Sequence, residues 1–348
     1  MTRPRTVVVA GVQVPFVRGG AEWHLEALHG ELRRRGFQAE RVDVPFQWSP
    51  REEALRSALA WRLLEVADAN GVPIDLFIGT RFPSYAARHP RKVVWLFHPF
   101  RQAYDLHDAG VDGFADTDEG RRLRQQVIDL DARALGECRR LFTTSRTNAE
   151  RLRTYLGLEA EVLRLPLLAR ERWRDEGFEP YVLSVGRLES LKRTELLVKA
   201  AAHLPRAARV VVVGEGAERA RLERLAETEG VADRVSFLGR VGDEEVKELY
   251  ARCGAVFYAP FDEDYGLVTL EAFHSGKPVV TARDSGGVLE FVRDQETGLV
   301  TDPAPEALGR ALGRLLEQPA EARAMGARGR ESVRDLSWDT VVDTLTAE

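Results

Sequence analysis

Apolar residues return along this chain in two alternating rhythms. Short uninterrupted runs, beginning with TVVVAGV (6–12), have the length and β-branched content of strands buried on both faces. Between them lie longer stretches with apolar positions roughly every 3.6 residues. In AEWHLEALHGELRRRG (21–36), Trp23, Leu25, Leu28 and Leu32 form one stripe, and Gly36 is a natural stop. The same reading predicts strands at 74–79, 93–97, 141–144 and 162–165 and helices at 120–138 and 147–156. After the charged stretch 169–180 a second series begins. It has strands at 181–188, 209–216 and 234–239 and helices at 193–203 and 243–253, then AVFYAP, LVTLEAFHSG, PVVTA, GVLEFV and GLVTD to residue 302. Strict alternation of this kind predicts an α/β fold of two doubly wound parallel sheets. The economical division is 1–168, 169–334 and a last helix, 335–348, crossing back to the first domain. Such sheets bind ligands beyond the carboxyl ends of their strands, where helix N-termini favour anions. Two of them facing across a cleft would suit an anionic ligand.

Composition narrows the classes. At 348 residues and 44% hydrophobic content the chain can bury two cores and is no disordered polymer. No run approaches a membrane span, and the opening MTRPRTVVVAG leads straight into a strand, so a cytoplasmic, reduced protein is expected. Two cysteines, Cys138 and Cys253, exclude a disulfide framework and a four-cysteine zinc site. The first 174 residues carry 28 basic against 23 acidic side chains, and the remainder is acidic. That contrast is too mild for nucleic-acid binding. It leaves peripheral contact of the first domain with anionic lipid open. Lysines number only five, at 92, 192, 199, 247 and 277, so each draws attention.

Four segments carry candidate chemistry. VVVVGEGAER (210–219) mimics a dinucleotide fingerprint through Gly214 and Gly216, but Arg219 stands where the third glycine belongs; a plain glycine-rich turn and a phosphate or ribose approach both remain open. In APFDEDYGLVTLEAFHSGKPVV (259–280), Glu263 and Glu271 stand eight apart across the start of a helix. Leu267, Leu270, Glu271 and His274 share one face of it, with the leucines turned to the core. Glu271 is then partly buried and needs hydrogen-bond donors, which ribose hydroxyls would supply as well as nearby backbone or arginine. Asp262 and Asp264, like Asp116 and Asp118, make a D-x-D expected by chance, and no metal site is assigned. VGRLESLKR (185–193) puts Arg187 and Lys192 at the edge of the second sheet, where two cations suit a diphosphate; surface pairs with Glu189 and Glu195 are the bland alternative. LFHPFRQAYDLHD (96–108) gathers His98, Arg101, Tyr104 and Asp105 at a strand end of the first domain.

Taken in order, the GRL…K run, GEG, FLGRV, EDYGLVTLEA, GKPVV, SGG with its following glutamate and TGLV resemble the retaining glycosyltransferases of family 4, which include glycogen-synthase-like and bacterial mannosyl- and glucosyltransferases. GGAE and TSRTNAERL in the first half resemble them too. The resemblance implies the GT-B fold, a UDP-, GDP- or ADP-sugar donor, a carbohydrate or lipid-linked acceptor, and no cofactor or metal. Residue by residue it implies that Arg187 and Lys192 bind the donor diphosphate. It places Glu271 on the ribose and Glu263 beside the transferred sugar. The backbone of Asp264, Tyr265, Gly266, Leu267 and Val268 would bind sugar hydroxyls and phosphate, with the base near Arg240 and Val241. Gly19 and Gly20 would let the chain approach the donor phosphates, and His98 would lie near the sugar, followed by Arg101 and Asp105 in a subfamily pattern. Asp264 and Tyr265 replace the family's usual Pro-Phe, so the sugar is not specified. A nicotinamide oxidoreductase, a sugar-nucleotide epimerase, a pyridoxal-dependent glycan phosphorylase and a non-catalytic glycan-binding protein are the competing classes.

Overall fold

A computed structural model describes residues 5–16 and 19–347. The chain forms two compact units, Met1–Leu168 with Leu336–Glu348, and Ala169–Asp335. In the first, strands β1 (Thr6–Gln13), β2 (Gln38–Pro45), β3 (Leu76–Gly79), β4 (Lys92–Leu96), β5 (Arg140–Thr143) and β6 (Glu161–Val162) pair in parallel in the order β2-β1-β3-β4-β5-β6. Val7, Val9 and Ala10 of β1 are buried because helices cover both faces of a parallel sheet. β6 is shorter than the expected 162–165. Leu163 still donates to the Thr143 carbonyl, but Pro166 has no N–H and restricts Leu165 before it.

Helix Gly20–Arg34 buries His24, Leu25, Leu28 and Leu32, while Trp23 is left 46% exposed; the buried stripe runs through His24 instead of the expected tryptophan. Helix Arg146–Leu156 starts at Ser145, whose hydroxyl accepts from the Asn148 amide, and stops at Gly157 with φ +65°. The last helix, Trp338–Thr346, belongs to the first unit, where the Trp338 ring lies 6.1 Å from Trp95.

In the second unit β7 (Tyr181–Val185), β8 (Arg209–Val213), β9 (Val235–Gly239), β10 (Ala255–Phe257), β11 (Val279–Ala282) and β12 (Gly298–Thr301) form an all-parallel sheet, ordered β9-β8-β7-β10-β11-β12. Val182, Val210, Val212, Phe257 and Val280 pack with Leu197, Leu308, Leu312 and Leu315 from the covering helices. From β7 the chain moves outward to β8, and from β10 it moves the other way to β11. The loops leaving these two neighbouring strands therefore diverge, and such a switch point is where open sheets bind ligands. Among the described residues no helix is long and apolar enough to cross a membrane.

Candidate active site

At the switch point of the second unit, the loop after β7 and the loop after β10 meet. The first carries a short 3₁₀ turn, Ser190–Lys192, and the second runs into helix Leu267–His274. Lys192 Nζ lies 2.5 Å from Glu263 Oε2 and 3.4 Å from the Tyr258 hydroxyl. Both charged side chains are mostly withdrawn from water, 22% and 17% exposed. Of the pairings the sequence allowed, Lys192 takes neither Glu189 nor Glu195 but a carboxylate 71 positions away. A small open pocket adjoins this pair, lined by Gly186, Arg187, Leu188, Lys192 and Tyr258 among others. Arg187 lines it but points outward, its guanidinium 2.7 Å from Glu189 and 59% exposed. The structure therefore does not bring the Arg187 charge to Lys192.

Glycines shape these loops. A Cβ on Gly214 would sit 1.9 Å from the Gly186 carbonyl, and one on Gly216 2.2 Å from that of Leu188. The GEG segment is thus the bed on which the β7 loop lies, joined to it by hydrogen bonds from the Leu188 amide to the Glu215 carbonyl and from the Glu218 amide to the Leu188 carbonyl. Arg219 pairs with Glu215 and Glu223. On the other side, the Gly287 amide donates to the Glu263 carbonyl at 2.7 Å. A Cβ on Gly286 would strike that same oxygen, and one on Gly287 would strike the Asp264 carbonyl. The Ser-Gly-Gly segment therefore supports the Glu263 loop by close backbone contact.

Gly266, at φ +90°, opens helix Leu267–His274. Leu270 and His274 are buried on it, whereas Leu267 and Glu271 are half-buried, so the expected core face is set by Leu270, not Leu267. Val268 is half-buried too, and Tyr265 is buried, its ring edge-on to Phe291 at 5.1 Å. The Glu271 carboxylate accepts the Tyr250 hydroxyl at 2.7 Å. Burial pushes its pKa above the usual carboxylate range, and the tyrosine only partly offsets that. Val241, half-buried, and the exposed Arg240 follow β9.

In the first unit, His98 is half-buried in the loop after β4, Nδ1 2.9 Å from the Pro99 carbonyl. Arg101 grips Asp105 through Nε and Nη2, at 2.8 and 2.6 Å, and Arg151 Nε lies 3.5 Å from the same oxygen. Asn148 donates to the Phe97 carbonyl. These buried groups fix the loop that carries His98. Gly19 caps helix Gly20–Arg34, its amide on the Glu22 carboxylate at 2.7 Å, and Glu22 also pairs with the buried Arg81. Sequence reasoning missed Glu22–Arg81, and it missed Arg193, which contacts Asp284 and two carbonyls after β10. A buried arginine of this kind leaves no local signal, because its partners lie 59 to 91 positions away.

Residues 169–332 match the family described as "Glycosyl transferases group 1". The match covers nearly all of the second unit. Solved structures extend the likeness of fold over the whole chain. Sucrose-phosphate synthase of Thermosynechococcus elongatus superposes with a TM-score of 0.78 at 20% identity, covering 98% of this chain and 97% of that one. WaaG, a glycosyltransferase involved in lipopolysaccharide biosynthesis, gives 0.72 at 20% over 98% and 100%. HepE of Anabaena, solved with UDP and glucose, gives 0.68 at 17% over 98% and 97%. The fold is GT-B. Among curated proteins, the D-inositol 3-phosphate glycosyltransferase of Salinispora tropica is 40% identical over 197 residues, 52% of this chain and 40% of that protein; its counterpart in Nocardia farcinica is 38% identical over 179 residues, 48% and 39%. The match spans less than half the length of these relatives. The Lys192–Glu263 pair and Glu271 all lie within the group 1 glycosyl transferase segment.

Proposed function

We propose that the chain is a retaining glycosyltransferase that moves a hexosyl group from a nucleoside-diphosphate sugar to a carbohydrate or lipid-linked acceptor without a metal ion. The observation that carries this reading is the Lys192–Glu263 pair beside the switch-point pocket of the group 1 segment. A departing nucleoside diphosphate gathers negative charge, and a fixed ammonium beside it lowers the barrier most when it is already in place. Lys192 fills that role. Glu263 meets the sugar's hydroxyls and the positive charge that develops at the anomeric carbon. The amides at the start of helix Leu267–His274 hold phosphate and sugar oxygens, and Glu271 takes the ribose hydroxyls. Arg187 reaches the diphosphate by leaving Glu189; an exposed ion pair of that kind is worth only about 0–1 kcal/mol, so the exchange costs little. Within the first unit, His98, Gly19 and Gly20 are the residues assigned to binding a sugar or phosphate. Retention follows from attack on the face the leaving group departs from, with a phosphate oxygen accepting the acceptor's proton.

HepE is solved with UDP-glucose, which makes UDP-glucose the first donor to test, with GDP- and ADP-sugars beside it. A bound donor should raise the melting temperature, because it binds only the native state. Lys192→Ala should lower donor turnover by about 10²–10³, the cost of removing one preorganised charge donor, with the fold intact. Activity should survive EDTA, and proton NMR should show the product with the donor's anomeric configuration. A Lys192→Ala variant with near wild-type turnover would refute the leaving-group role.

A further inference from the structure

Arg193 follows Lys192 directly, and its side chain leaves the other way. Nε donates to the Ala259 carbonyl at 2.8 Å and Nη2 to that of Pro260 at 2.9 Å, while Nη1 and Nη2 grip both oxygens of Asp284 at 2.8 and 2.7 Å. The side chain is 13% exposed, and its guanidinium lies 5.8 Å from the centre of the Phe261 ring. One side chain thus ties the turn after β7 to the loop after β10 and to the residues just past β11. Backbone bonds follow the same seams: Phe261 donates to Leu191 at 2.8 Å, Asp262 to Asp284 at 2.9 Å and Glu263 to Ser285 at 3.3 Å. Lys192 and Glu263 are carried on the first two of these three segments.

The backbone at Arg193 has φ +49°, the left-handed region where glycine is the undemanding choice. An L residue there costs roughly 1–2 kcal/mol, so a side chain retained at that position supplies something glycine lacks. Here that is a planar fork meeting a carboxylate on one edge and two carbonyls on the other, which lysine's single ammonium cannot reproduce.

We propose that Arg193 and Asp284 form a positioning clamp that sets the separation and aim of Lys192 and Glu263. Neither touches the reacting atoms. The catalytic part of the proposal rests on the glycosyl-transfer reading; the geometric part does not. The test therefore has an arm that needs no activity. Arg193→Met, Asp284→Asn, Arg193→Lys and Glu263→Gln are labelled with trinitrobenzenesulfonate, and modification is timed at each of the five native lysines by mass spectrometry, with fragmentation separating Lys192 from the sixth amine that Arg193→Lys adds beside it. Lys192 is the probe. Lys92 and Lys277, 1% and 3% exposed, report any general loosening. Arg193→Met and Asp284→Asn should speed labelling of Lys192 about tenfold, towards the rate in Glu263→Gln, by local opening that leaves Lys92 and Lys277 at their native rates. Arg193→Lys should fall between. In the second arm, kcat for UDP-glucose hydrolysis by Arg193→Met should fall about 100-fold, the scale of a misplacement near 1 Å. The Kd for UDP should move little, and Arg193→Met should add almost nothing in a Lys192→Ala background, because the clamp acts through that lysine.

Unchanged labelling of Lys192 in both clamp variants would overturn the proposal. So would labelling of Lys92 and Lys277 that rises in step with it, since the guanidinium would then merely hold the unit together. Local loosening of Lys192 in a chain inert to every nucleotide sugar would support the clamp and sink the glycosyl-transfer reading instead.

Discussion

Glu271 is a half-buried carboxylate on a helix whose Thr269, Leu270, Ala272, Phe273 and His274 are buried, and the Tyr250 hydroxyl at 2.7 Å faces it. Ionised, it is held against a burial cost that shows in its raised pKa. A hydrogen bond to a charged group is worth about 1.5–3 kcal/mol, so Tyr250→Phe should destabilise the second unit by that order in urea titration. Glu271→Gln keeps an acceptor for the tyrosine and loses the charge. It should therefore be less destabilising than Tyr250→Phe, yet weaken nucleotide binding if ribose hydroxyls are the natural donors to this group. Calorimetric affinity for UDP equal to that of the wild type would reject the ribose assignment. The two variants separate a structural carboxylate from a ligand-holding one because only the second role depends on charge at an otherwise intact site.

Loops, not strands, determine how the site elements meet, and glycine is what lets them approach. Gly216→Ala would thrust a methyl to 2.2 Å from the Leu188 carbonyl, and Gly214→Ala to 1.9 Å from that of Gly186. Neither backbone oxygen can swing aside as a side chain could. Each substitution should cost about 2 kcal/mol or more and displace the turn that carries Lys192. Thermal melting measures the first effect and donor turnover the second; a fully stable, fully active Gly216→Ala would show that the two loops yield. Much of this architecture was legible in sequence because it is local. TVVVAGV is a strand, the helix after Gly266 starts where the glycine permits, and Gly157 ends a helix, all through short-range periodicity and backbone conformation. The pairing of Lys192 with Glu263 was not legible, since nearby glutamates offered equally good partners until the sheet order placed β7 beside β10. Arg193 was hidden for the same reason. Its neighbours in sequence read as an ordinary turn, and its function lies in segments 66 to 91 residues on.

At the scale of the whole chain, burial favours the neutral form of an acid in the first unit, Asp131, and of a base in the second, His274, and these two groups respond oppositely to acid. In the first unit, Asp131 is 1% exposed beneath the hydroxyls of Tyr85 and Tyr104, at 2.8 and 2.7 Å, and burial pushes its pKa up to about 7 despite both bonds. The fold therefore favours the neutral acid: this contribution is complete below pH 4 and is lost as pH rises towards 7. In the second unit, burial and then the nearby charges of Arg170 and Arg330 push His274 down to about 4, from an ordinary value near 6.5. That contribution is complete above pH 6.5 and is lost as pH falls towards 4, because the unfolded chain takes the proton first. Each slope is at most about 1.4 kcal/mol per pH unit, the value for one proton. Hydrogen exchange followed peptide by peptide between pH 4.5 and 7, corrected for intrinsic rates, should show protection around residues 85–104 and 131 improving on acidification while protection around residues 267–276 declines in a Glu271→Gln background, where the raised carboxyl of Glu271 no longer opposes His274. Asp131→Asn should flatten the first trend without touching the second, and His274→Gln the reverse. Parallel trends in both units, or a slope that survives its own substitution, would mean that neither group governs acid stability and that the response comes from exposed charges spread over the surface.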